Sequence, residues 1–220
     1  MTGRPRLQQA KGRKPSSRAW LLRQLRDPYV AEAKRLGYRS RAAFKLIEID
    51  DRFRLLRPGC RVLDLGSSPG GWTEVAVERV KAAFGRGLVV GVDLVETAPI
   101  AGALLLCGDF RDDAVAAAIK KALGRGADLV LSDMAAPATG HRATDHLKAV
   151  ALAEDAFRFG AEVLAPGGAF LAKVFQGGTE GALLGDLKSA FAQMRHLKPR
   201  ASRPSSAETY VLAKGFRGLP

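Results

Sequence analysis

From residue 61 to residue 175 the chain alternates short apolar runs with longer stretches of helical periodicity, and few folds accept that order. The runs are Arg61–Leu65, Gly87–Asp93, Leu104–Cys107, Asp128–Ser132 and Ala169–Val174. Helical stretches lie between and after them, near 71–84, 112–123, 142–164 and 179–193. Strands separated by helices of that length form parallel βαβ units. The last segment breaks the alternation. His196–Ala201 and Glu208–Lys214 are two strand candidates joined by a short Ser-Arg-Pro-Ser-Ser link, which predicts an antiparallel hairpin at the sheet edge. The expected fold is therefore α/β: a mostly parallel seven-stranded sheet, helices on both faces and an antiparallel C-terminal edge hairpin.

The region before the first strand differs in charge. Residues 1–57 hold 16 Lys and Arg against five Asp and Glu, so most of the formal net charge of +13 sits in the first quarter of the chain. Clustered cations displace counterions from a phosphate backbone, which points to a nucleic-acid partner. Residues 1–18 carry no acid and are rich in Gly, Pro and Ser, the composition of a mobile arm. A short helix is predicted from Asp27-Pro28 to Gly37, with acid and proline at its start and glycine at its end. Ser40 is the expected N-cap of a second helix, with Ala43, Phe44, Leu46, Ile47, Phe53 and Leu55 on its apolar face. This divides the chain into a basic, partly disordered RNA-binding extension over 1–35 and a folded domain over 36–216.

Other classes are set aside by absences in the sequence. No apolar run is long enough to cross a bilayer. The basic N-terminus has no apolar segment behind it, unlike a secretory signal, and its Arg richness fits a transit peptide only loosely. Cys60 and Cys107 form no CxxC pair and have no histidine nearby, so no metal is expected. Two buried free thiols in a reducing cytoplasm are the expectation.

The first strand runs into Asp64-Leu65-Gly66-Ser67-Ser68-Pro69-Gly70-Gly71-Trp72. A glycine-rich turn after the first strand of a doubly wound sheet lets a ligand approach the backbone. The spacing is not GxGxxG and no GK[ST] is present, which disfavours dinucleotides and nucleoside triphosphates. Asp93 ends the second strand, where a carboxylate can accept hydrogen bonds from ribose hydroxyls. Asp109 follows the third, placed to accept from an adenine amino group, with Phe110 able to lie near the ring. Together they suit an adenosyl ligand without phosphates. Asp133 follows the fourth strand and Lys173 ends the fifth. A lysine at the end of a core strand is costly unless paired, so this is either a structural Lys–Asp ion pair or a reactive one.

At this point the sequence resembles the RrmJ/FtsJ family of RNA 2′-O-methyltransferases over about residues 36–215. The resemblance rests on Gly37-Tyr38-Arg39-Ser40-Arg41-Ala42-Ala43-Phe44-Lys45-Leu46, the Asp64-Leu65-Gly66…Pro69-Gly70-Gly71-Trp72 turn, Ser132-Asp133-Met134-Ala135, Lys173-Val174-Phe175-Gln176-Gly177 and Glu208-Thr209-Tyr210. It implies a Rossmann-like S-adenosylmethionine-dependent methyltransferase fold. It also implies a catalytic tetrad of Lys45, Asp133, Lys173 and Glu208, and S-adenosyl-L-methionine contacts at Gly70, Trp72, Asp93, Asp109 and Asp133. Lys45 and Glu208 stand out only through the family. Ala207 departs from the pattern, since relatives often carry a basic residue there.

The implied reaction is attack of a ribose 2′-oxygen on the sulfonium methyl. Lys173 either deprotonates that hydroxyl or stays charged and stabilises the developing alkoxide. The implied partner is ribosomal RNA in the large subunit, in particular a uridine of the 23S A-loop, methylated by a monomeric cytoplasmic enzyme. Transfer RNA, mitochondrial rRNA and a non-catalytic ribosome assembly role are the alternatives. Lys34, Arg35, Arg39 and Arg41 are candidate phosphate contacts. Trp20 or Tyr38 could stack on a base, with core packing the other option for Tyr38. RNA affinity should fall steeply with salt, and less steeply once residues 1–26 are deleted.

Overall fold

A computed structural model describes residues 25–137, 139–175, 181–204 and 206–219. Trp20, Gln176, Gly177 and most of the expected arm lie outside them. The described chain forms α1 (Pro28–Leu36), α2 (Ala43–Phe53), β1 (Arg61–Leu65), α3 (Gly71–Val80), β2 (Leu88–Asp93), β3 (Ala103–Cys107), α4 (Asp113–Leu123), β4 (Ala127–Ser132), α5 (Arg142–Val163), β5 (Leu164–Phe175), α6 (Gly181–Ala190), β6 (Phe191–Leu197) and β7 (Glu208–Phe216). The strands form one seven-stranded sheet in the order β3-β2-β1-β4-β5-β7-β6. Its first five strands are mutually parallel, and β7 inserts antiparallel between β5 and β6.

Side-chain alternation along the strands builds two cores. Leu63, Leu65, Val90, Val130, Phe170 and Val211 face α4, α5 and α6, packing on Ile119, Phe157 and Leu187. Val62, Val89, Leu129, Leu171 and Leu212 face the other way, onto α2 and α3 through Leu46, Val75 and Val80. The strand order reverses between β1 and β4, and a crevice opens beyond the carboxyl ends of strands at such a point. Asp93 and Ser132 end strands there, and Asp133 follows directly.

Helix α1 forms as predicted. Asp27 caps it by accepting from the Tyr29 N–H, Pro28 opens it, and Gly37 closes it in the left-handed region. It docks on α2, with the Tyr29 and Phe44 rings 5.4 Å apart. Other expectations need correction. Ser40 does not cap α2: the N-cap position is Ala42, no side chain caps it, and the chain enters through a tight turn closed by Ser40 O accepting from Ala43 N–H. The Ser40 hydroxyl is buried without a hydrogen-bond partner. It occupies the space that a Cβ on Gly71 would need, only 2.2 Å from where that atom would stand. The sixth strand is Phe191–Leu197, not His196–Ala201, and α6 stops at Ala190 rather than near 193. Phe191 packs against Phe157 and Phe216 at 6.2 and 5.2 Å, which pulls the segment into the sheet edge. Pro199, lacking an N–H, bars further extension. The thiols are not both buried either: Cys107 is exposed at the end of the edge strand β3, and Cys60 is half-buried.

Candidate active site

A cavity of about 420 Å³ opens at the strand-order reversal. Its lining includes Gly66, Asp93, Asp109, Phe110, Asp133 and Met134, so the ends of β1 to β4 all contribute. Gly66 sits at φ +81°, and a Cβ there would fall 2.4 Å from the Met134 Cγ, so only glycine keeps this wall open. Asp93 Oδ2 accepts from the Ser68 N–H and Oδ1 from the Val95 N–H, both at 2.9 Å. Each oxygen retains a lone pair for a ligand hydroxyl. Asp109 is gripped by Arg111, whose guanidinium donates at 2.6 to 3.1 Å and holds this carboxyl below the usual carboxylate range. The volume is that of a small-molecule pocket, and three lining carboxylates against the single Arg111 favour a cationic ligand over a phosphate-bearing one.

Beside the cavity, Asp133 joins two lysines. Its Oδ2 lies 3.2 Å from Lys45 Nζ, and its Oδ1 lies 3.3 Å from Lys173 Nζ. Lys173 also donates to the Asp133 backbone carbonyl at 2.8 Å. Lys45 continues to Glu208 Oε1 at 2.8 Å. Lys45, Asp133, Lys173 and Glu208 thus form one charge-alternating cluster, from α2, the end of β4, β5 and the start of β7. The two lysines are only 7% and 8% exposed, so the carboxylates are what make their burial tolerable. Burial raises the cost of charging Asp133, but the Lys173 and Lys45 ammonium groups and the Tyr210 hydroxyl outweigh it and hold the carboxyl below its usual range. Among the described residues, two of Lys173's three donor positions are used.

Tyr210 belongs to this cluster, and residue-type reasoning missed it. Its hydroxyl lies 2.7 Å from Asp133 Oδ1 and 3.2 Å from Glu208 Oε1. Burial and the two carboxylates push its own ionisation well above the usual phenol range, so it remains a donor. The signal lay in the quoted Glu208-Thr209-Tyr210 motif, since residues i and i+2 of a strand share a face. Ser202 Oγ adds a further hydrogen bond to Glu208 Oε1 at 2.9 Å. Replacing Tyr210 with Phe should cost about 1.5–3 kcal/mol of stability, the worth of a hydrogen bond to a charged group. It should lower methyl transfer by no more than roughly tenfold, because Lys45 and Lys173 still hold Asp133. Urea unfolding and initial rates on the same preparation check both.

The expected cofactor residues separate. Asp93, Asp109 and Asp133 line the cavity, whereas Gly70 and Trp72 are not among its lining residues. The Trp72 indole is 3% exposed, donates to the Ala42 carbonyl at 2.8 Å and packs on the Tyr210 ring at 5.7 Å. It braces the start of α2 and hence Lys45. Gly70 is the left-handed residue ahead of α3, where a Cβ would meet Arg39 and Ile100 at 2.8 Å.

Three of the candidate phosphate contacts are engaged within the protein, Arg35 through Glu32 at 2.6 Å among them. Arg39 binds Glu74 and the carbonyls of Ala98 and Pro99, and Arg41 binds Asp27 and the Ala201 carbonyl. Tyr38 packs edge-on against Phe44 and reaches Glu78.

Below the site, Asp64 is buried and its Oδ2 accepts a hydrogen bond from the Thr73 hydroxyl, 2.7 Å away. Burial, with Asp133 and Asp93 nearby, pushes its carboxyl up to about 7. The folded chain then keeps a proton that the unfolded chain releases near pH 4. This contribution to stability is complete below about pH 4 and is lost as pH rises to about 7. An Asp64→Asn variant should flatten the fall in stability between those limits, as measured by urea unfolding at pH 5 and pH 8.

A doubly wound sheet with an acidic cavity at its reversal point and a lysine–carboxylate cluster beside it defines a methyltransferase of the Rossmann type. The FtsJ-like methyltransferase family model matches residues 38–216, and the chain belongs to that family. Curated relatives include ribosomal RNA large subunit methyltransferase E of Rhodospirillum rubrum, 61% identical over 97% of this chain and 82% of that protein. The protein of the same name in Paramagnetospirillum magneticum is 62% identical over 95% of this chain and 86% of that protein. Among solved structures, one described as a ribosomal RNA methyltransferase of Plasmodium falciparum has a TM-score of 0.74 and 30% identity, covering 82% of this chain and 100% of that chain. Another, described as an rRNA-methylase of Clostridium thermocellum, shares the fold at a TM-score of 0.51 and 15% identity, over 77% of this chain and 96% of that chain.

Proposed function

We propose that this methyltransferase transfers the methyl group of S-adenosyl-L-methionine to a ribose 2′-hydroxyl of ribosomal RNA, with a uridine of the 23S A-loop in the large subunit as its target. The observation that carries this is the Lys45–Asp133–Lys173–Glu208 cluster, closed by contacts of 2.8 to 3.3 Å next to an acidic cavity. A ribose hydroxyl is a weak nucleophile and needs a donor or base held at its oxygen, which a buried, oriented lysine supplies. The names of the two relatives at 61% and 62% identity support the choice of RNA.

Asp93 and Asp109 are suited to hold the ribose and adenine of the cofactor, and Asp133 to lie near its cationic end. The cofactor supplies an electrophilic methyl on a sulfonium. Lys173 would hold the 2′-oxygen and the charge that develops on it, while the hydroxyl proton leaves to solvent and the sulfonium leaves as a neutral thioether. Asp133 fixes Lys173 through both its carboxylate and its carbonyl. Lys45, between Asp133 and Glu208, keeps the two carboxylates from repelling one another. Positioning of this kind supplies much of the rate in a reaction that needs three atoms in line.

The test is transfer of labelled methyl to large subunits that lack the modification, followed by mapping. Label at one uridine in a linkage that resists alkaline cleavage is expected, because a 2′-O-methyl removes the attacking hydroxyl. Label on a base, or at another RNA, would redirect the assignment. Tight binding to subunits with no transfer would favour the assembly-factor alternative.

A further inference from the structure

Away from the catalytic cluster, the open face beside α2 carries three concavities that share walls. One is lined by Glu48, Asp51, Arg52, Phe53, Lys198 and Arg200 among others. The next has Leu212 and Phe53 with Arg52, Gln193, Arg195 and Lys214 around them. The third includes Arg54, Arg57, Asp128 and again Lys214. Arg52 and Phe53 are common to the first two, and Lys214 to the last two, so the three adjoin as one grooved surface.

Its charges are unequal in a telling way. Each acid along it is engaged within the protein: Glu48 by the Tyr29 hydroxyl and the Arg200 and Ala201 N–H groups, Asp51 by Arg79, and Asp128 by the Arg61 N–H and Arg125. Among the described residues, no carboxylate lies within ion-pair distance of Arg52, Arg54, Arg57, Arg195 or Lys214. Arg54 adds an independent sign. It closes α2 at φ 51° and ψ 53°, a left-handed position that glycine fills without strain, yet it carries a guanidinium.

We propose that this groove is a second RNA-binding surface, one that takes the phosphate backbone of ribosomal RNA flanking the nucleotide being methylated. The inference rests on the functional reading above. The geometry fits a flanking role. Lys214 lies six residues along β7 from Glu208, about 20 Å at ordinary strand rise. That is too far to touch the reacting ribose. Side chains at Leu212, Lys214, Gln193 and Arg195 share a sheet face because they are cross-strand partners. Arg195 and Lys214 therefore lie on one face of the sheet, and the end of α2 brings Arg52, Arg54 and Arg57 to the same concavities. With Arg39 and Arg41 tied into the fold, these cations are free to release counterions where those two are not.

The test compares the full-length enzyme with a triple variant, Arg52→Gln, Arg195→Gln and Lys214→Gln. A control triple removes equal charge elsewhere: Lys81→Gln, Lys121→Gln and Lys188→Gln. The probe is large-subunit rRNA free of protein, bound over a range of salt, with methyl transfer to large subunits measured in parallel. The groove variant should bind at least tenfold more weakly at low salt. Its log–log salt slope should drop by about 2, from roughly 0.7–0.9 per lost phosphate contact. Its KM for subunits should rise while kcat and cofactor binding hold. The control should shift the slope by less than half as much. Equal affinity and slope for wild type and groove variant overturn the proposal. So does a loss confined to assembled subunits with none on protein-free rRNA, which would assign the groove to a ribosomal protein. Should the triple variant fold poorly, Arg54→Gly with Arg57→Gln reads the same surface, since glycine relieves the backbone at 54. Should wild type bind rRNA but transfer no methyl, the functional reading fails while the salt slope still decides the groove.

Discussion

Replacing Lys173 with alanine is expected to lower methyl transfer by about 10²- to 10³-fold at saturating RNA and cofactor, the range for losing a donor aimed at a developing charge. Cofactor affinity should change by no more than about threefold, since the cavity lining keeps Asp93, Asp109 and Phe110 untouched. The reason is geometric. Lys173 is held by the carboxylate and the carbonyl of one residue, so its remaining donor position is fixed in direction. An effect on turnover with little effect on binding is the mark of an interaction made only in the transition state. Single-turnover transfer and cofactor titration separate the two. Transfer within tenfold of wild type would remove Lys173 from the chemistry.

Asp133→Ala should have the largest effect on stability. It strips the shared partner from two buried lysines, leaving Glu208 for Lys45 and no carboxylate for Lys173 among the described residues. Removing one member of a buried ion pair costs about 3–5 kcal/mol. For a chain of this length that lowers Tm by roughly 10 °C, at about 2–4 °C per kcal/mol. Transfer should fall at least as far as in Lys173→Ala, because Lys173 loses its anchor. Asp133→Asn keeps the shape but not the charge and should recover only part of the stability. Calorimetry of the three proteins checks the order. A shift under about 2 °C for the alanine variant would mean that water relaxes the lysines and that the cluster is not a buried network.

Much of this was legible in the order of residues. The β1 to β5 alternation is a one-dimensional pattern, because each strand and helix writes its own periodicity into local sequence. So are the ends of α1, where Asp27, Pro28 and Gly37 act through their own backbones. Asp93, Asp109 and Asp133 could be placed together because a parallel sheet brings successive strand ends to one edge. The local rule failed where distant groups compete. Ser40 reads as a cap, yet its hydroxyl is wedged against Gly71. Residues 191–193 read as helix, yet Phe191 gains more from Phe157 and Phe216 across the sheet than from another helical turn.

The sequence by itself determined the fold class, the crevice at the strand ends and, through family resemblance, the four residue types of the lysine–carboxylate cluster. Tertiary structure alone decided that these four close into one network through Tyr210 and that Trp72 braces α2 away from the cavity. It also decided that Arg39 and Arg41 are tied into the fold while Arg52, Arg195 and Lys214 meet no carboxylate among the described residues. Periodicity is carried by neighbours in the chain, whereas ion pairing and burial depend on which distant segments meet. Lys45 and Glu208 are 163 positions apart in sequence and 2.8 Å apart in space.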